Sequence, residues 1–150
     1  MRQEFRSLMK SVNRVEFVFE AIQKSLGEKG KLGWLFYVLD DGQAHSQKQL
    51  SKDWMIPRST LNAIVKKAEE EGFVELRPVP KTRRELEILL TEKGKAAADE
   101  LLQPYIELED QALAETAEKY SHHFVEVFDY FSKNLEQKII QGIMEQERDF

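Results

Sequence analysis

Residues 46–90 read SQKQLSKDWMIPRSTLNAIVKKAEEEGFVELRPVPKTRRELEILL, and this stretch decides the fold. Its first part has the pattern of a helix start, because Ser46 can cap a helix and Gln49 stands at the third helical position. From there the Gln49 side chain can reach back to the amide of the cap, as in a capping box. We therefore predict a short helix that begins directly after Ser46.

A second helix follows the interruption at residues 54–57. Pro57 suits the first turn of this helix, where the missing N–H of a proline costs no hydrogen bond. We expect the helix to continue to about Glu71 and to stop at Gly72, since glycine readily adopts the left-handed conformation of a helix exit. The apolar residues of this helix follow helical spacing and form one stripe: Leu61, Ile64, Val65 and Ala68.

The opposite face of the second helix is small, polar and basic, with no acidic residue before Glu69. A helix with such residues at its N-terminal end can enter the major groove of DNA, which is about 12 Å wide. Asparagine can bond the edge of an adenine there, serine and threonine adapt to several bases, and lysine and arginine neutralise phosphates. The candidate DNA contacts in the two helices are Ser46, Gln47, Arg58, Ser59, Thr60, Asn62 and Lys66.

Two short segments after the second helix alternate between apolar and polar residues, as half-buried strands do. They cover residues 73–77 and 85–90, and the connection between them contains prolines, which cannot pair in a sheet interior. A helix-turn-helix followed by a basic hairpin is a winged helix. The basic residues of the connection are candidates for contacts with the minor groove or with phosphates: Lys81, Arg83 and Arg84.

The distribution of charge is compatible with a nucleic-acid partner, although the net charge of the chain is −5. Residues 43–95 carry 11 lysines and arginines against 8 acidic residues, whereas residues 96–150 carry 4 against 13. Local charge governs phosphate contact, so the acidic C-terminal part does not exclude DNA binding. The chain has no cysteine, no signal-peptide pattern and no run close to the ~20 apolar residues of a membrane span, so we expect a cytoplasmic protein that does not bind membranes.

Long helices with apolar stripes flank the winged helix on both sides. The first is predicted over about residues 2–26, with a heptad-like seam. A second begins after a cap at Thr91 and runs to about Ala117, and Pro104 inside it should kink or break it. A last helix starts near Ser121 and runs almost to the end of the sequence.

The predicted fold class is therefore mainly α with a small β-hairpin (α+β). A winged helix-turn-helix DNA-binding domain covers residues 32–94, and N- and C-terminal dimerisation helices cover residues 1–31 and 95–150. The apolar stripes of these helices are hard to bury in a monomer of this length. We expect a homodimer with interlocking terminal helices, which would present two recognition helices to a palindromic site.

A short helix over about residues 32–39 is apolar nearly all round, so it should be buried against several elements. Its aromatic residues, among them Trp34 and Tyr37, can pack in the core or can line a pocket for a small apolar or aromatic ligand. His45 precedes the Ser46 cap, and a single histidine at a helix entry is interpreted as structural or solvated rather than as a metal ligand.

Four segments share a pattern with one known family: residues 59–67, the run EEEGFV at 69–74, the arginines at 83–84 and the run LTEKG at 90–94. They resemble the multiple-antibiotic-resistance regulator (MarR) family. The resemblance covers about residues 32–94 in detail, and outside that range only the order of the helices matches. The LTEKG run after a basic wing is the most specific part of the pattern.

The resemblance implies a homodimeric winged-helix transcription regulator, usually a repressor, which a small ligand releases from its operator. Family members often have Asp at the position of Thr82, where it braces a wing arginine, and Thr82 cannot form that ion pair. The effector pocket of the family corresponds to a region near Trp34, Tyr37 and the first helix. The recognition and wing positions of the family correspond to Arg58, Ser59, Thr60, Asn62, Lys66, Arg83 and Arg84.

Two other function classes are weighed against this reading. An enzyme would need a nucleophile elbow, a phosphate-binding glycine loop or a metal-ligand cluster, and the sequence shows none, so we expect neither catalysis nor a cofactor. His122, His123 and Glu126 could bind a metal on one helix turn, but further ligands would have to come from elsewhere. The other interpretation is that they are exposed polar residues at the start of the helix.

A winged helix that contacts only proteins, or acts as an anti-repressor, is the second function class, and the acid-free polar face argues against it.

Overall fold

The computed structural model describes residues 1–79 and 85–148. Within these residues the elements follow in the order α1 (Arg2–Ser25), α2 (Gly30–Leu39), β1 (His45–Ser46), α3 (Gln47–Asp53), α4 (Arg58–Glu70), β2 (Val74–Pro78), β3 (Leu86–Leu90), α5 (Glu92–Tyr120) and α6 (His123–Arg148). The predicted class, mainly α with a small hairpin in a winged helix-turn-helix, is confirmed. The chain divides into two compact units, Met1–Tyr105 and Ile106–Phe150. The assignment of residues 32–94 to DNA binding and of the flanks to dimerisation remains a prediction.

α2 lies at the centre of the first unit. Six of its ten residues are buried, as its apolar sequence predicted. The helix begins at Gly30, directly after a 3-10 turn at Gly27–Lys29 and two residues before the predicted start. The buried core around it draws residues from α2, α3, α4, β2 and β3: Leu35, Val38, Leu39, Leu50, Leu61, Val65, Ala68, Val74 and Ile88.

A three-stranded antiparallel sheet has the strand order β1-β3-β2. β2 and β3 form the predicted hairpin, in register from Val74 opposite Leu90 to Pro78 opposite Leu86. Pro78 ends β2 rather than beginning the connection, which is compatible with its position because β2 is an edge strand. β1 was not predicted, because a strand of two residues shows no alternation.

The helix-turn-helix starts at the predicted cap, where Ser46 Oγ accepts a hydrogen bond from the Gln49 N–H at 3.1 Å. The second half of the predicted capping box is wrong. The Gln49 side chain instead donates to both carboxylate oxygens of Asp53, at 2.7 and 2.8 Å, since Asp53 offers a charged acceptor one turn later on the same face. Pro57 is the N-cap of α4 rather than part of its first turn, because its ψ of 136° is extended, and its carbonyl oxygen accepts from the Leu61 N–H at 3.0 Å.

α4 ends as predicted, because Gly72 follows with a φ of +76°. α5 continues through Pro104 to Tyr120, so of the two predicted effects of this proline the break is wrong, and the kink remains a prediction. A proline removes one hydrogen bond, but its fixed φ near −65° suits a helix, and the remaining bonds keep a long helix continuous. Within the described ranges, none of the helices combines the length and the apolar character needed to cross a membrane.

Candidate nucleic-acid interface

α4 has one buried face and one exposed face, as its sequence pattern predicted. Leu61, Val65 and Ala68 are at most 1% exposed and pack in the core of the winged helix. No described part of the chain covers the opposite face, so its side chains are free to meet another molecule. All the predicted DNA contacts of α4 are exposed on that face: Arg58, Ser59, Thr60, Asn62 and Lys66.

The lysines of α4 have acidic neighbours one turn later. Lys66 Nζ is 3.8 Å from Oε1 of Glu70, and Lys67 Nζ is 3.9 Å from Oε1 of Glu71. Exposed ion pairs of this kind contribute at most about 1 kcal/mol. A phosphate group can therefore replace the carboxylate as the partner of either lysine. The first turn of α4 contains no acidic residue, so a phosphate near Arg58 meets no repulsion from that turn.

The start of α3 is less accessible than the face of α4. Ser46 and Gln47 are both half-buried, and the Ser46 hydroxyl is engaged as the cap of the helix. The cap fixes the first turn of α3 against the sheet through β1. Ser46 therefore has a structural role, and the predicted contact of both residues with DNA remains a prediction.

The hairpin that forms the wing is described up to Val79, just after its first strand, and from Glu85 before its second. β2 and β3 are paired along their length, and beyond them the Val79 N–H donates to the Glu85 carbonyl oxygen at 2.9 Å. The predicted phosphate or minor-groove contacts of this connection fall outside the described residues, as does the departure from the family pattern at Thr82. The residues concerned are Lys81, Thr82, Arg83 and Arg84.

The LTEKG run has a structural role that the sequence did not reveal. Thr91 Oγ1 accepts a hydrogen bond from the Gly94 N–H at 3.0 Å, and so caps α5 as predicted. The same hydroxyl donates to the Gly72 carbonyl oxygen at 2.8 Å, and the Thr91 N–H donates to the Phe73 carbonyl oxygen at 3.0 Å. One threonine therefore joins the exit of α4 to the start of α5.

Lys93 and Gly94 strengthen this connection. Lys93 Nζ donates to the Glu71 carbonyl oxygen at 2.6 Å, at the C-terminal end of α4, and lies 4.5 Å from the centroid of the Phe73 ring. A Cβ atom at Gly94 would lie 2.9 Å from the Phe73 carbonyl carbon and nearer still to its oxygen. Only glycine allows this close approach, so the LTEKG run holds the end of α4 against α5.

Four aromatic side chains form a cluster between α1, α2 and the turn of the helix-turn-helix. The Trp34 and Trp54 rings meet edge to face with centroids 6.3 Å apart. Tyr37 meets Trp54 and Phe19 in the same way, each at 6.0 Å. The predicted effector residues Trp34 and Tyr37 are thus brought together. Trp54, which is 44% exposed, completes the cluster and was not predicted, because the sequence marked it only as an interruption between two helices.

The turn after α2 is held by a histidine. His45 Nε2 lies 2.8 Å from Asp41 Oδ1, which agrees with the structural interpretation of this histidine. This contact and the Gln43 N–H hold the pKa of Asp41 below its ordinary value. The pKa of the neighbouring Asp40 is raised, first by partial burial and then by the charges of Asp99 and Asp41.

The histidines at the start of α6 do not form a metal site with described residues. His123 Nδ1 lies 2.7 Å from Glu126 Oε2, and both side chains are exposed. Across the described part of the chain, no three or more His, Asp or Glu side chains come together in an arrangement that could hold a metal ion. The exposed pair at the start of α6 is therefore a local contact of the helix surface.

Residues 33–85 match the family model of the MarR family. Among solved structures, the chain is similar to NMB1585, a MarR family regulator from Neisseria meningitidis, with 23% identity and a TM-score of 0.70 over 91% of this chain and 98% of that chain. It is similar to a MarR/EmrR family transcriptional regulator from Acinetobacter sp. ADP1, with 22% identity and a TM-score of 0.67 over 88% and 96% of the two chains.

A third similar structure is that of NadR in complex with 4-hydroxyphenylacetate, with 16% identity and a TM-score of 0.64 over 85% of this chain and 88% of that chain. No curated protein matches the sequence. At these identities the solved structures show a shared fold, and the family match covers the region that contains α3, α4 and β2. Residues 33–85 therefore match the MarR family model, and the chain has the winged-helix fold of solved MarR family transcription regulators.

Proposed function

We propose that the protein is a cytoplasmic, sequence-specific DNA-binding regulator of transcription. It acts as a homodimer on a palindromic operator, as a repressor that a small ligand releases. The observation that carries this proposal is the exposed, polar and basic face of α4, supported on a buried stripe in a MarR family winged helix. A face of this composition gains little from contact with an apolar protein surface, whereas it offers hydrogen-bond donors and acceptors to base edges.

The roles of the α4 residues follow from their chemistry. Asn62 can form two hydrogen bonds with the N6 and N7 groups of an adenine, and Ser59 and Thr60 can donate or accept. Arg58 at the helix start and Lys66 about two turns further can neutralise phosphates. Asn62 is therefore assigned to base recognition, and the two basic residues are assigned mainly to orientation and affinity.

Selection of bound sequences from random double-stranded DNA tests the proposal. A DNA-reading dimer should enrich one palindrome with half-sites about one helical turn apart, 34–36 Å. If the purified protein enriches no sequence and binds random duplexes no better than a non-specific acidic protein does, direct DNA recognition is wrong. Function as a protein-interaction module or anti-repressor would then be favoured.

The terminal helices support the homodimer. α1 leaves Phe5 42% and Phe19 40% exposed along its predicted seam, and in the second unit α6 leaves Val127 55%, Phe128 47% and Ile139 54% exposed. Burial of an exposed apolar side chain stabilises an interface by roughly 25 cal/mol per Å² of apolar area. Rows of such residues on long helices therefore favour association with a second copy.

Sedimentation equilibrium at micromolar concentration tests the homodimer. A particle of twice the 17.6 kDa chain mass is expected. A single 17.6 kDa species would exclude the dimer at that concentration. Each molecule would then have one recognition helix, whereas a palindromic operator has two half-sites that each need one.

The aromatic cluster supports a small apolar or aromatic ligand. Trp34 and Tyr37 are half-buried beside Trp54, and NadR shows that a protein of this fold can hold 4-hydroxyphenylacetate. The two tryptophans of the chain are both in the cluster, so selectively excited tryptophan fluorescence reports on this site alone. Titration with small aromatic acids should change the emission and lower affinity for the operator together. Emission that is constant across the series would contradict this location of the effector.

A further inference from the structure

A groove of about 730 Å³ runs along one side of α4. One wall is α4 itself, with Thr60, Ala63 and Lys67. The other wall is the corner between α1 and α2, with Lys29 and Lys31. No sequence pattern connects this corner with α4, because about 30 residues separate them in the chain.

The groove lies beside the exposed face of α4 and not behind it. With 3.6 residues per turn, successive side chains of a helix are about 100° apart. Viewed from Ser59, Asn62 and Lys66 therefore fall on one side of the exposed face, and Ala63 and Lys67 fall on the other. A molecule that meets the centre of the face extends over the groove on the Ala63 side.

A recognition helix in the major groove has a phosphate backbone on each side. The major groove is about 12 Å wide, and a helix with its side chains is about 10–12 Å in diameter, so both backbones pass close to the flanks of the helix. With α4 in that position, the backbone on the Ala63 side crosses the groove and meets the α1–α2 corner. We propose that Lys29 and Lys31 bind the phosphates of this backbone and form a second, sequence-independent contact with DNA. The proposal rests on the proposed DNA-binding function.

The electrostatics of the groove agree with an anionic occupant. Lys29 and Lys31 are exposed, and among the ion pairs formed within residues 1–79 and 85–144 neither lysine takes part. Glu28 and Glu71 also line the groove, but the lysines that line it, Lys29, Lys31 and Lys67, exceed these two glutamates by one positive charge. The lining of the groove is therefore net positive, and an anionic occupant is favoured over a cationic one.

The corner that carries the lysines is held tightly against the rest of the first unit. A Cβ atom at Gly30 would lie 2.6 Å from the Gln23 carbonyl oxygen of α1, and one at Gly33 would lie 2.7 Å from the Leu26 side chain. Both glycines are buried, so α1 and α2 meet in close backbone contact. Lys29 and Lys31 thus start from a fixed backbone, which reduces the entropy lost when they bind phosphates.

The salt dependence of DNA binding tests the proposal. The experiment compares the wild type with the double variant Lys29→Ala/Lys31→Ala by fluorescence anisotropy on a selected operator duplex and on a random duplex. The control is Lys10→Ala/Lys138→Ala, which removes the same charge from exposed positions of α1 and α6 outside the groove. Each phosphate contact contributes about 0.9 to the slope of log K against log salt, so the slope should fall by up to about 1.8 for each protomer.

The outcomes separate this inference from the proposed function. Loss of slope in Lys29→Ala/Lys31→Ala, equal on both duplexes and absent in the control, supports the phosphate contact. A wild type that binds its operator while the variant keeps the wild-type slope overturns this inference alone. An equal loss in the control also overturns it, because general charge then explains the effect. A wild type that binds neither duplex overturns both the inference and the proposed function.

Discussion

Replacement of Gly94 by alanine should strongly destabilise the winged helix. The added Cβ would lie 2.9 Å from the Phe73 carbonyl carbon, nearer still to its oxygen, and 3.3 Å from a terminal methyl of Leu90. Even a close carbon–oxygen contact in proteins needs about 3.3 Å. The start of α5 and the end of α4 would have to move apart, and backbone atoms cannot swing aside as the end of a long side chain can.

The size of the effect follows from the bonds at this point. The displacement removes the Phe73 carbonyl oxygen as acceptor for the Thr91 N–H, now at 3.0 Å, and disturbs the Thr91 cap on Gly94, also at 3.0 Å. A buried backbone bond contributes about 1 kcal/mol net, and a lost N-cap costs about 0.5–2 kcal/mol. We expect Gly94→Ala to lower the free energy of unfolding by about 1.5–3 kcal/mol.

Urea unfolding followed by circular dichroism measures this loss, at one protein concentration because a dimer's stability depends on concentration. Gly142→Ala in α6 is the matched control, since a Cβ there meets nothing within 4 Å. Alanine is favoured over glycine inside a helix by roughly 0.5–1 kcal/mol, so the control should be as stable as the wild type or more stable. A Gly94→Ala protein within about 0.5 kcal/mol of the wild type would refute the packing argument.

Three further predictions concern the recognition helix, the cap of α3 and the turn after α2. Asn62→Ala should cost about 1–3 kcal/mol on the selected operator and nothing on random DNA, and equal losses in competition assays would contradict its base-reading role. Ser46→Ala should lower the free energy of unfolding by about 0.5–2 kcal/mol through loss of the α3 cap; an unchanged urea midpoint would show that the cap is dispensable. Asp40 has a raised pKa in the folded state, so its ionised form opposes folding, and Asp40→Asn should raise stability at pH 7. The pKa of Asp41 is lowered in the folded state, so Asp41→Asn should reduce the free energy of unfolding at pH 7. For both variants, the difference in free energy of unfolding from the wild type should shrink below about pH 3.9, where the carboxyl groups are protonated. A difference that stays constant with pH would exclude the charge explanation.

Local patterns in the sequence were sufficient to predict α4. The apolar stripe with Leu61 and Val65 repeats at helical spacing, and Gly72 marks the exit, so both the buried face and the end were predicted correctly. Such signals arise within one or two turns of chain. They fixed the position of α4 to within a residue, and with it the set of exposed candidates.

Errors arose where a distant or competing group decides the conformation. Gln49 had a charged acceptor in Asp53 and did not return to the cap. β1 exists because His45 and Ser46 pair with β3, more than 40 residues later. The contact between Lys93 and the end of α4 likewise spans 22 positions. The LTEKG run was therefore recognised as a family pattern, but its role in joining α4 to α5 was not predicted.

The connection formed by Thr91 and Lys93 also has a consequence for how this protein can vary. Because the exit of α4 and the start of α5 are tied directly to each other, the hairpin between them can change its tip without moving either helix. Doubling the length of a loop costs only about 0.6 kcal/mol in closure entropy. Under the proposed DNA-binding function, insertions between Val79 and Glu85 would therefore change the contact of the hairpin with DNA while the position of α4 stays constant. New target sites would then evolve at the hairpin and at α4 separately.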